Sequence, residues 1–252
     1  MMRTLLVRGM LVGAVAGLLA FAFAEVFGEP SVDTAIAFET GLHQAASEVP
    51  EPELVSRGIQ ASLGLFTGVV LYGAAFGGLF ALAFAFLYGR AGSGDPRALA
   101  AVLALVCFAA IALVPGLKYP PNPPSVGEPD TIRYRTALFF IMIAISLAAA
   151  VAAAATATRL ARRYGAWNAW LAGAAVFLVI GLAAGLLLPA IDEVPERFPA
   201  VVLWRFRIAS FGTEIVLWTT IGLLFGWLTA RSPAFSGFSQ RSYAVRRHGK
   251  AA

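Results

Sequence analysis

The 252-residue chain has one cysteine and two histidines, and only 13% of its residues carry a charge. Its single thiol, Cys107, sits inside an apolar run, which excludes an intrachain disulfide and argues against a soft thiolate metal site. There is no Gly-x-Ser-x-Gly, no His-Glu-x-x-His and no Walker-type phosphate loop, and the second histidine, His248, lies in a basic tail. General acid–base, zinc and ATP-hydrolysing chemistry lack their parts, so the chain reads as a non-enzyme. Long polar stretches are missing too, which leaves no room for a sizeable soluble domain. A net charge of +5 and a pI near 9.8 would suit nucleic acid, but the basic residues stand singly at the ends of apolar runs, which sets that partner aside.

What the chain has in abundance is apolar sequence: 59% of its residues are hydrophobic and the mean hydropathy is +0.78. That composition predicts an all-α integral membrane protein. Six runs are long enough to span: about 5–27, 63–88, 98–117, 137–160, 169–188 and 208–230. They make residues 1–231 a polytopic membrane domain and 232–252 a basic, disordered tail near anionic lipid headgroups. With alternating spans, one side receives twelve of the 19 Lys and Arg but only one acid, Asp95. The positive-inside rule makes that side cytoplasmic, with both termini inside. A rival reading treats Ala22-Phe23-Ala24 as a signal-peptide cleavage site, leaving five spans. Retention is expected because the run is long and Gly9, Gly13 and Gly17 form a small-residue stripe suited to helix packing. The same spacing recurs at Gly64/Gly68, Gly73/Gly77, Gly181/Gly185 and Gly222/Gly226, again predicting packing.

The outward segments are acidic and proline-rich. Glu48 to Glu53 reads as a solvated connector, and Pro115 to Pro124 as stiff polyproline II over a membrane mouth. The last two hairpins resemble each other: each leaves the membrane at a proline (Pro115, Pro189) and re-enters at Arg-aromatic-Arg-x-Ala, at 133–137 and 205–209. They read either as parallel repeats, as in some transporters, or as chance plus interfacial anchoring.

The stretch from Glu25 to His43 carries Glu25, Glu29, Asp33, Glu39 and His43 directly after the first span. Pro30 is expected to end or kink the incoming helix, with Ser31 capping a second helix over 32–43. On that helix Glu39 and His43 are four residues apart on one face, and Asp33 lies in the first turn, where the dipole favours an anion. Oxygen ligands and one imidazole suit a divalent transition metal, although the same residues also describe a solvated helix surface. Glu214 lies about 10 Å into the last span, where an acid is a functional candidate as ion ligand or proton carrier, its alternative being a pair with Arg207.

Three blocks together resemble the CbtA family of predicted bacterial cobalt transporter subunits. They are Glu29-Pro30 with Asp33, Ala35-Ile36 and Glu39; Lys118-Tyr119-Pro120-Pro121-Asn122-Pro123-Pro124; and Leu188-Pro189 with Asp192 to Pro195, Phe198-Pro199 and Phe206 to Ser210. The resemblance implies a multi-pass subunit of the bacterial inner membrane for Co²⁺ uptake linked to cobalamin synthesis. It also implies a small one-span CbtB-type partner with a histidine-rich end. Co²⁺ is then cargo, and no tightly bound cofactor is expected. Candidate metal-contacting residues are Glu25, Glu29, Asp33, Glu39, His43 and Glu214. Two alternatives stand: a non-conducting scaffold for the metal-binding partner, and a transporter of another divalent cation such as Ni²⁺, which oxygen and nitrogen ligands bind at least as well.

Overall fold

The computed structural model describes residues 2–45, 55–90 and 95–232. The Glu48–Glu53 connector falls in the undescribed segment 46–54, and the basic tail from 233 onward also lies outside the described residues. Every regular element among the described residues is helical: α1 (Met2–Phe27), α2 (Glu29–Ala45), α3 (Arg57–Ile59), α4 (Leu65–Leu87), α5 (Pro96–Cys107), α6 (Val114–Lys118), α7 (Ile132–Leu187) and α8 (Ala200–Ala230). Wide π turns at Gln60–Gly64 and Phe108–Leu113 join α3 to α4 and α5 to α6, and a 3₁₀ turn, Pro129–Thr131, leads into α7.

Five helical runs are long and apolar enough to cross a membrane: Met2–Phe27, Arg57–Leu87, Pro96–Lys118, Pro129–Leu187 and Ala200–Ala230. The fourth has 59 residues; as one rod it would extend about 90 Å, three times the thickness of a hydrocarbon core. Gly165, at φ 79° and ψ 160°, breaks it into two arms, and each is long enough to cross. That backbone conformation is costly for any residue with a Cβ, so this glycine divides the run. The break falls between the spans read from sequence as 137–160 and 169–188.

Local chemistry sets the other boundaries. Pro189 disfavours the α conformation at Leu188, which is extended (φ −74°, ψ 145°) and ends α7. Asp95 caps α5 by accepting the Arg97 N–H at 2.9 Å, with Pro96 in the first helical position, where its missing N–H costs nothing. Two expectations need correcting. The incoming helix does end next to Pro30, at Phe27, but the second helix starts at Glu29 and not at 32, so that Pro30 lies in its first turn and the Gly28 carbonyl receives the Ser31 and Val32 N–H groups. Ser31 is therefore a buried first-turn residue, not the cap. Pro115 likewise lies within α6; the π turn before it gives the ring the room that a regular α turn denies. The last span begins eight residues earlier than expected, at Ala200, because Arg205-Phe206-Arg207 continues the helix.

The chain forms two compact units: one of 1–26, 52–105 and 212–252, the other of 27–51 and 106–211. In the first unit α1 and α4 meet backbone to backbone. A Cβ on Gly13 would strike the Gly73 carbonyl, and one on Gly17 would lie 2.8 Å from both the Val69 oxygen and the Val70 Cα. Phe80 and Phe84 of α4 pack edge-on against Phe225 of α8, and Gly222 and Gly226 seat α8 on Ala104 and Ala100 of α5. Arg8 donates to the fully buried Thr229 hydroxyl at 3.4 Å.

In the second unit, Tyr119, Leu138, Met142 and Ala184 form one cluster, and Ala35, Val126 and Phe198 form another. The second cluster joins α2 to both proline-rich connections. Ser125 donates to the Ala35 carbonyl at 3.2 Å, Tyr119 to the Pro189 carbonyl at 2.9 Å, and Phe38 meets Phe198 edge-on at 5.2 Å. These loops are packed against one another and against α2.

Candidate functional site

Helix α2 presents two faces. At about 100° per residue, Ser31, Ala35 and Phe38 share one stripe, and it is the face packed against Val126 and Phe198. Glu29, Asp33, Glu39 and His43 fall within a separate sector about 120° wide, which also holds the half-buried Val32 and Ile36 and whose Glu39 edge lies about 40° from Ala35. Asp33 and His43 are exposed, and Glu29 and Glu39 are half-buried. The sector is about 21 Å long from end to end. Neighbours at i, i+4 (Glu29 with Asp33, Glu39 with His43) are the closest of the four, and among the described residues no group of three or more His, Cys, Asp or Glu converges as a metal cage. The other two candidates lie elsewhere: Glu25 is exposed on the last turns of α1, in the first unit, and Glu214 is on α8.

The packed loops bring further charge to the α2 end of the second unit. Glu193 accepts from two donors, the Glu128 N–H at 2.8 Å and the Thr131 hydroxyl at 2.9 Å, and pairs with the Arg135 guanidinium, whose Nε lies 3.3 Å from Oε2. The backbone donor first, then the hydroxyl and the guanidinium, hold its carboxyl below the usual carboxylate range. Arg135 also donates to the Glu128 carbonyl at 3.1 Å, and Gly127, at φ 115°, has no space for a Cβ beside the same guanidinium. Arg207, the matching residue of the second Arg-aromatic-Arg motif, donates to Asn122 at 2.9 Å. Both motifs thus lend their second arginine to a loop.

Because the Glu193 carboxyl is depressed in the folded state, its contribution is present above the unfolded value near 4.5 and is lost as pH falls through the folded value. Above about pH 6, Glu193→Gln is therefore expected to speed amide exchange at Glu128. The difference from the parent should close in acid, as read by hydrogen-exchange mass spectrometry. Gly127→Ala should loosen the same loop at every pH, because it displaces the Arg135 guanidinium whatever the charge on Glu193.

Glu214 is half-buried on α8, about 21 Å from the helix start. Its Oε1 accepts from the Tyr72 hydroxyl of α4 at 3.4 Å and its Oε2 from the Trp218 indole N–H at 3.0 Å. Phe76 closes the pocket, with its ring 4.4 Å from Tyr72 and 5.6 Å from Trp218, centroid to centroid. The pairing with Arg207 weighed from sequence is replaced by these two neutral donors. Trp218, four residues on, was legible as a helix neighbour of Glu214; Tyr72, 142 positions away, carried no signal in the sequence.

A family model described as probable cobalt transporter subunit (CbtA) matches residues 2–230. No curated protein and no solved structure matches the chain.

Proposed function

The chain belongs to the CbtA family of probable cobalt transporter subunits, and from that premise we propose that it is the membrane component through which Co²⁺ enters the cell. Membership supports a multi-pass membrane protein and a subunit that works with a partner. In this reading the chain sits in a bacterial inner membrane with six spans and both termini inside, α1 being a retained span. It serves cobalamin synthesis beside a one-span CbtB-type subunit with a histidine-rich end. The outer face then carries α2 and the two packed loops. Glu29, Asp33, Glu39 and His43 collect the cation there, Glu25 is a further acid at the end of α1, and Glu214 is the acid within the membrane.

The observation that carries the proposal is the second face of α2: three acids and a histidine gathered in one sector, apart from the stripe of Ser31, Ala35 and Phe38. A uniformly solvated helix has no reason to sort its acids this way. The acids raise the local cation concentration, and an inside-negative potential of ~100 mV drives a divalent ion inward by about 4.6 kcal/mol. One observation favours a second reading, the non-conducting scaffold: no three ligands converge among the described residues.

Uptake of radioactive Co²⁺ separates the two. The chain would be expressed with and without its partner in cells lacking other cobalt systems, and as variants with Glu29, Asp33, His43 or Glu214 replaced by alanine. Uptake that needs the α2 acids and Glu214 supports conduction. Uptake untouched by all four changes removes the site, and none with the partner present favours the scaffold or another metal such as Ni²⁺.

A further inference from the structure

The two oxygens of Glu214 are not equivalent. Oε2 faces the indole N–H of Trp218, a group that can only donate, so this oxygen must remain an acceptor. Oε1 faces the hydroxyl of Tyr72, which donates in one rotamer and accepts in another. The pocket therefore satisfies the carboxylate, with two donors pointing in, and equally the neutral acid, whose O–H on Oε1 would donate to the Tyr72 oxygen. A metal site would need further ligands beside the carboxylate. Among the described residues no group of three His, Cys, Asp or Glu converges there.

We propose that Glu214 is a reversible proton site on Oε1, with Tyr72 as the switching partner and Trp218 as the fixed one, and not a ligand of the transported metal. The inference deepens the transport reading and rests on it only for its purpose, which is to exchange a proton within the membrane during the transport cycle.

The charged and titratable groups on the surrounding elements leave this assignment intact. From α4, Tyr72 itself faces the carboxylate. Helix α1 meets α8 at Gly212 through Phe23; its Arg8 is engaged with Thr229, fifteen residues further along α8, and its Glu25 is exposed. Helix α5 meets α8 at Gly222 and Gly226, with Asp95 and Arg97 near its start. On α8 itself, Arg207 is engaged with Asn122.

Infrared difference spectroscopy of the purified chain in lipid tests the assignment without any transport step. A carboxylic C=O band should titrate with pH and vanish in Glu214→Gln. It should shift to higher frequency in Trp218→Phe, which removes the fixed donor, and respond differently in Tyr72→Phe, which removes the switching partner. Adding Co²⁺ at constant pH should leave the carboxylate bands of Glu214 in place. Splitting of those bands by Co²⁺ would mark direct ligation and overturn the proposal, as would the absence of any titrating band lost in Glu214→Gln. Failure of the transport reading looks different: a titrating Glu214 band in a chain that moves no Co²⁺ with its partner. If transport is found, its rate should vary about tenfold per pH unit on one limb in the parent and less than about twofold in Glu214→Gln.

Discussion

Replacing Gly13 by leucine is expected to abolish recovery of folded protein, whereas the same change at Gly68 should leave it intact. At Gly13 even a Cβ would strike the Gly73 carbonyl, and it would lie 2.8 Å from the Gly73 carbonyl carbon and 2.9 Å from the Gly77 Cα. These are backbone atoms, so no rotamer change relieves the clash and the two helices must separate. The contact repeats at Gly9 with Gly77 and at Gly17 with Val69 and Val70. Separation at one point therefore weakens van der Waals packing along several turns, and in lipid no hydrophobic drive replaces it. The cost is about 3 kcal/mol or more, at the upper end for overpacking and a large share of the stability of an ordinary domain. Gly68 is on the same helix α4 but meets nothing within 4 Å, so a side chain there enters open space. Size-exclusion recovery and the thermal midpoint of the two variants decide the matter. Equal behaviour would mean that α1 and α4 do not pack through their glycines.

Those two glycines also mark what the sequence could reveal. The spacing at Gly9, Gly13 and Gly17 and at Gly73/Gly77 announces close packing, and these residues in fact face each other. Gly222/Gly226 is tight against Ala104 and Ala100, but Gly68 and Gly185 have open space and Gly181 has ordinary contact with Val114, so the expectation of packing fails there. Spacing of small residues says where two helices can approach; which helix arrives depends on contacts tens of residues apart. The apolar runs were legible because the bilayer imposes a length on them. Helix ends were less so, since prolines 30 and 115 lie inside helices, accommodated by a first turn and by a π turn. The proline-rich connections looked stiff by composition. Their burial through Tyr119, Val126 and Phe198 depends on partners up to 90 positions away, as for Ser125 and Ala35. The α2 charges were legible as residues, and their sorting onto one face follows from helical geometry once Ala35 and Phe38 are known to be packed.

That sorting carries the second large expectation, a graded loss of cation affinity as the α2 stripe is neutralised. Glu29→Gln, Asp33→Asn and Glu39→Gln, taken singly, should each raise the Co²⁺ concentration for half-maximal uptake by about threefold. A divalent ion about 6 Å from a surface carboxylate gains near 1.4 kcal/mol in water, and screening at physiological salt halves this. The three changes together should give about 30-fold, since independent threefold terms multiply. A cage would behave otherwise: when three donors touch one ion, removal of the first should cost 100-fold or more, and the second and third little further. The stripe is about 21 Å long, and among the described residues no three ligands converge, so the multiplicative pattern is the expected one. Salt supplies an independent check. At about 1 M, where the screening length falls to about 3 Å, the parent and the triple variant should converge, while a cage would keep most of its advantage. Full loss on the first replacement, insensitive to salt, would mean that α2 and its neighbours close around a single ion when the metal arrives.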